Sequence, residues 1–133
     1  MPMLFVTLPV QDLPASRAFY EALGFSVNQH SSDEHTAAVV LDDNIVVRLL
    51  VRDAFADLVA GDVADPAHHP TVVHSLTVPD RADVDELVAK AVAAGSRPGV
   101  PAPEDASTHT GSFTDPDGHA WQALWMDQLH VVN

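Results

Sequence analysis

A strand, a capped helix and a glycine stop occur twice in this 133-residue chain, and that repetition constrains the fold more than any other feature. In the first copy, Leu4 to Val10 is strongly apolar and reads as a buried strand. Asp12 follows as a helix-start signal, with Pro14 suited to the first turn. Ala15, Phe19, Ala22 and Leu23 recur at helical spacing, and Gly24 ends the helix. Phe25 to Val27 and Thr36 to Leu41 read as strands, and the turn Asp42-Asp43-Asn44 leads into a strand over Ile45 to Val51. A short helix is expected over Asp53 to Leu58. Residues 59–71, with Gly61, Pro66 and Pro70, read as a linker.

The second copy begins with a strand over Val72 to Val78. Asp80 or Asp83 caps a helix that places Val84, Leu87, Val88 and Ala91 on one face, and Gly95 stops it. A loop with Pro98, Pro101 and Pro103 precedes a strand over Gly111 to Thr114. The turn Asp115-Pro116-Asp117-Gly118 then opens the last strand, His119 to Met126. Matching landmarks (Val10 with Val78, Gly24 with Gly95, the Asp42–Asn44 turn with the Asp115–Gly118 turn) are offset by 68, 71 and about 73 residues, a slow drift of the kind small loop insertions produce. One copy alone has too few strands to bury a sheet face. The expectation is therefore one α+β domain over 1–133, made of module 1 (1–58), the linker 59–71 and module 2 (72–133).

Composition narrows the function classes. At 47% hydrophobic residues the chain can bury a core and is not disordered. No apolar run approaches the ~20 residues of a membrane span, and the start MPMLFVTLPV lacks the basic segment of a signal peptide. With no Cys, disulfides, thiol catalysis and Cys-based zinc sites are excluded. A formal net charge of −13 makes a solvated acidic surface that repels nucleic acid and acidic membranes. A cytoplasmic, soluble protein with neither kind of partner follows.

Three stretches carry a resemblance. LPVQDLPASRAFYEALGF (residues 8–25), LTVPDRADVDELVAKAVAAG (76–95) and FTDPDGHAWQALW (113–125) resemble, in order, the module signatures and closing hairpin of the vicinal oxygen chelate superfamily, the glyoxalase, bleomycin-resistance and extradiol-dioxygenase proteins. The resemblance implies two tandem βαβββ modules whose curved mixed sheets form a cup-shaped cavity. In metal-bearing members, four strand positions point into the cup, usually as His, Glu, His and Glu, and hold a divalent metal with open positions.

Mapped by that resemblance, the four positions fall here on Phe5, Arg48, Val73 and Gln122. Phe and Val have no donor atom, Arg is a fixed cation without a lone pair, and Gln is a weak oxygen ligand. The expectation is that no metal and no other cofactor is bound. His74 lies one residue from a ligand position, which in a strand is the opposite face. A β-bulge would turn it inward, and His74 with Gln122 would then be the fallback metal set. No histidine pair has helical i, i+4 spacing, and there is no Gly-rich phosphate loop and no Gly-x-Ser-x-Gly elbow.

Period-2 alternation names the cavity residues as Phe5, Thr7, Arg48, Leu50, Val73, Ser75, Gln122 and Leu124, with Pro9, Val46, Thr77 and Met126 beside them. The set is mostly apolar with two polar anchors, Arg48 and Gln122, which is how small-molecule pockets are composed. Arg48 needs either an acidic partner from the protein or an anionic group of a ligand. The favoured expectation is a metal-free protein that binds or sequesters a small organic ligand, an anionic one where Arg48 has no acidic partner in the protein. The alternative is a metal-dependent glyoxalase, isomerase or dioxygenase-type enzyme with a rearranged site. Exposed sheet edges also lead to the expectation of a homodimer.

Overall fold

The structure is a computed structural model, and it describes residues 2–97, 99 and 105–127. The chain divides into two compact units, Met1–Asp65 and Pro66–Asn133. Each joins one main helix to one mixed sheet.

In the first unit, β1 (Leu4–Val10) leads to α1 (Leu13–Ala22), then β2 (Ser26–Asn28), β3 (Thr36–Asp42), β4 (Ile45–Val51) and a short α2 (Arg52–Ala56). The sheet order is β1-β4-β3-β2, with β1 parallel to β4 and the other pairs antiparallel. Asp12 caps α1, its carboxylate accepting from the Ala15 N–H at 3.1 Å, and Pro14 stands in the first turn where no amide donor is needed. The helix ends before Gly24, whose φ of 103° is costly for other residues. Between helix and sheet lie Phe19 and Tyr20 from α1, Val10 from β1, Val39 from β3, and Val47 and Leu49 from β4, all 4% exposed or less. Burial of each such side chain contributes about 1.5–3 kcal/mol.

In the second unit, β5 (Val73–Thr77) leads to α3 (Arg81–Ala93), then β6 (Thr108–Thr114) and β7 (Ala120–Met126). The order is β5-β7-β6, with β5 parallel to β7 and β6 antiparallel to it. The Asp83 carboxylate accepts from the Asp80 N–H at 3.1 Å and secures the start of α3. Val84, Leu87 and Ala91 are buried on the face anticipated for this helix. A Cβ added to Gly111 on β6 would fall 2.6 Å from Val88 Cγ2, so the glycine lets α3 lie close on the sheet. In the turn, the Asp115 carboxylate accepts from the N–H groups of Asp117 and His119 at 3.0 and 2.9 Å. Gly118 closes that turn at φ 91°, with Ala67 backbone only 2.7 Å from where a Cβ would sit.

The α+β class and the modular pattern agree with the sequence, and several boundaries move. β6 starts at Thr108, three residues ahead of the anticipated Gly111, because Thr108 to Thr110 pair with Met126 to Leu124. β2 shifts by one residue, and α2 runs from Arg52 to Ala56 instead of Asp53 to Leu58. The second module has three strands among the described residues. Pro98, Pro101 and Pro103 of the expected loop lie outside the described residues. Among the described residues, no helix is long and apolar enough to cross a membrane.

Candidate functional site

Strand alternation gives each sheet a face toward its helix and a face away from it. In the first sheet, Val39, Val47 and Leu49 belong to the helix side. Phe5, Thr7 and Pro9 on β1 pair in register with Val46, Arg48 and Leu50 on β4, and these six form the other side. In the second sheet, Gly111 marks the helix side by its approach to Val84 and Val88. Its register partner Ala123, and Trp121 and Leu76 on the same face, complete that side. Val73, Ser75 and Thr77 pair in register with Ala120, Gln122 and Leu124 on the other side. The eight expected site residues therefore fall as four on the face of each sheet opposite its main helix, α1 or α3, which is helix-free in that sense.

Each face carries one polar pair at its centre. In the first sheet, the Arg48 Nε–H donates to Thr7 Oγ1 at 3.2 Å across the parallel β1–β4 pairing. In the second, the Ser75 hydroxyl donates to Gln122 Oε1 at 2.9 Å across the parallel β5–β7 pairing. The two pairs occupy corresponding places, a hydroxyl on the edge strand and a longer polar side chain on the strand beside it. Their surroundings differ in exposure. Val46 and Leu50 beside Arg48 are 7% and 8% exposed, whereas Val73, Ser75 and Thr77 of β5 are all exposed, Val73 at 60%.

Arg48 is half-buried and forms no ion pair among the described residues. The arginine and lysine ion pairs there are Arg17–Glu21 and Lys90–Glu86, both within helices. Elsewhere, Arg52 donates to the carbonyls of Val63 and Ala64, and Arg81 donates to those of Asp105 and Ala106. The Arg81 guanidinium also sits over the Trp125 ring at 4.5 Å. Backbone carbonyls thus engage both Arg52 and Arg81.

His74 lies on the helix side. It pairs in register with Trp121, its ring 5.1 Å from the indole, and the β5–β7 register runs without a shift from Val73 to Thr77. No bulge turns it, so His74 and Gln122 stand on opposite faces and the fallback pair cannot share a metal. Burial holds the His74 imidazole below its ordinary pKa. The nearby His119 adds to that, and Asp115 opposes it. The positions that hold metal in the resembling superfamily are Phe5, Arg48, Val73 and Gln122, and this donor set does not fit a divalent ion. Among the described residues, no group of three or more His, Cys, Asp or Glu side chains is placed to hold one.

One set of candidate residues escaped the sequence reading. Thr108, Thr110, Ser112 and Thr114 on β6 pair with Met126, Leu124, Gln122 and Ala120, so all four share the Gln122 face. The segment THTGSFT carries the signal as hydroxyl residues at period 2. Starting the strand at Gly111 hid it.

Comparison with known proteins places these features. The model of the Glyoxalase/Bleomycin resistance protein/Dioxygenase superfamily matches residues 3–123. Among solved structures, a hypothetical protein from S. aureus is 26% identical with a TM-score of 0.79, over 94% of each chain. A glyoxalase-related enzyme from Fulvimarina pelagi is 23% identical with a TM-score of 0.79, over 94% of this chain and 88% of that one. An antibiotic binding protein from Streptomyces sp. CB03234 is 19% identical with a TM-score of 0.67, over 96% of this chain and 97% of that one. No curated protein matches.

Proposed function

The chain belongs to the Glyoxalase/Bleomycin resistance protein/Dioxygenase superfamily, and from that membership we propose that it binds a small organic molecule without a catalytic metal. The observation that carries the reading is the chemistry of the four positions Phe5, Arg48, Val73 and Gln122. Two have no donor atom, and the two polar ones are each bonded to a hydroxyl of the neighbouring strand, Arg48 to Thr7 and Gln122 to Ser75. What remains is a mostly apolar surface with a few oriented polar groups on each helix-free face, the composition of a small-molecule site. The likeness in fold to an antibiotic binding protein supports binding as a role this architecture can serve. A cytoplasmic homodimer belongs to the same reading, supported by exposed apolar residues such as Leu4, Phe5 and Val73 on the edge strands β1 and β5.

Elemental analysis of untagged protein tests the metal-free part. The expected result is no stoichiometric nickel, zinc, iron or manganese. A tightly held ion at one per chain would replace this reading with that of a metal-dependent enzyme. Mass spectrometry of the denatured protein's soluble fraction tests the binding part by revealing any organic molecule that co-purifies.

A further inference from the structure

We propose that the helix-free face of the first sheet is a carboxylate site, and that its ligand carries the carboxylate on an apolar body. This rests on the small-molecule reading above and specifies its chemistry.

Arg48 sits on β4, the interior strand next to edge strand β1, with Thr7 on one side and Ala38 on the other. A guanidinium has five N–H donors in a planar fork. The Nε–H is committed to Thr7 Oγ1 at 3.2 Å. The terminal edge, with both Nη atoms, has no hydrogen-bond or ion-pair partner among the described residues. That edge can donate two parallel N–H···O bonds to a planar carboxylate.

Among the described residues, the strands bring no counter-charge to this face. The chain has 19 acidic residues, yet the strand positions in register with Arg48 and its neighbours are apolar, hydroxyl or amide. Ala38 pairs with it on β3, and Asn28 lies beyond Ala38 on β2. Ala38, Val46 and Leu50 around it are 3%, 7% and 8% exposed, so water screens the cation poorly there. A half-buried cation without a partner is unfavourable, and an anionic ligand removes that cost.

Thr7 strengthens the selection. Its oxygen accepts from Arg48, and its own O–H, with no acceptor among the described residues, can donate beside the guanidinium. The pair thus presents donors and positive charge to a group that only accepts. Around it the face is hydrocarbon, with Phe5 51% exposed and able to cover a ring or chain.

Titration calorimetry with three compounds of one shape tests this: 2-naphthoate, its neutral amide 2-naphthamide, and naphthalene-2-sulfonate. The wild-type protein is expected to bind the carboxylate about 10-fold or more tighter than the amide, and tighter than the tetrahedral sulfonate. Arg48→Met should abolish the preference by weakening the carboxylate about 10-fold or more while weakening the amide much less. Arg48→Lys, which keeps the charge but loses the fork, should restore only part of it. Circular dichroism and the thermal midpoint establish that both variants are folded, and the lysine variant decides the matter if the methionine one is not. Equal binding of carboxylate and amide, or a preference that survives in Arg48→Met, overturns the carboxylate site and leaves the small-molecule reading standing. Equal binding of carboxylate and sulfonate overturns the selection for a planar anion. Failure of all three compounds to bind the wild type at millimolar concentration overturns both proposals.

Discussion

The two sheets solve the same packing problem with different residues. At corresponding helix-side places, the first sheet pairs Val39 with Val47 and the second pairs Phe113 with Trp121. The first helix side is therefore aliphatic. The second is aromatic, with the Phe113 and Trp121 rings stacked 6.3 Å apart at 5°. The helix-free sides diverge as well. The first has a cation and a hydroxyl in apolar surroundings, and the second has a neutral amide among hydroxyls. A common backbone thus tolerates exchange of core chemistry and of site chemistry independently, because alternation assigns them to different faces.

The largest expected effect separates the two cores. Trp121→Ala should destabilise the protein by about 3–5 kcal/mol, and Val47→Ala by about 2 kcal/mol, since the indole takes far more packed surface with it. Urea denaturation followed by far-UV circular dichroism measures both, and equal losses would remove the distinction between the aliphatic and the aromatic sheet face. A smaller effect separates the polar pairs. Thr7→Val leaves the Arg48 Nε–H without its acceptor and should cost about 1–2 kcal/mol, while Ser75→Ala breaks a neutral, exposed bond and should cost under about 1 kcal/mol. The reverse order would mean that the Arg48–Thr7 contact has no electrostatic content.

The smallest effect is a pH dependence confined to the second sheet. His74 has a folded pKa below the ordinary 6.5, so the folded state binds fewer protons than the unfolded state. Its contribution to stability is complete above about pH 6.5 and declines as the pH falls from there through the lowered folded value. Thermal midpoints between pH 8 and pH 5 should fall less steeply in His74→Phe than in the wild type. Parallel curves would show that another group governs the acid limb.

Much of the fold was legible in the sequence because its signals are local. Asp12, Gly24, Asp80 and Gly95 mark helix ends through cap chemistry and backbone conformation, and the structure uses each of them at a helix end. Sharing of a face within a strand was legible too, since period 2 puts Thr7 with Phe5 and Ser75 with Val73 without reference to any partner. Pairing across the sheet was not. The contacts Thr7–Arg48 and Ser75–Gln122 join residues 41 and 47 positions apart through parallel ladders, and no local pattern encodes which strands become neighbours. The start of β6 was hidden for a related reason. Ser107, Thr108 and Thr110 read as loop residues by composition, and only pairing with β7 makes a strand of the last two. The anchoring of Arg81 by Asp105, Ala106 and Trp125 was likewise out of reach, because it depends on that same pairing.

The row of hydroxyls on β6 has a consequence for how such a protein diversifies. Thr108, Thr110 and Ser112 are half-buried on the face away from α3, and their side chains contribute little to the core. Exchanging Thr for Val, or Ser for Ala, at any of them alters hydrogen-bonding capacity while nearly preserving shape and strand propensity. Three adjacent positions of this kind make a surface that mutation can retune one step at a time, each intermediate still folding. Arg48 offers no comparable path, because every replacement changes charge or donor geometry at once. Divergence among close relatives should therefore collect on β6, while the cation of the first sheet is kept or lost whole.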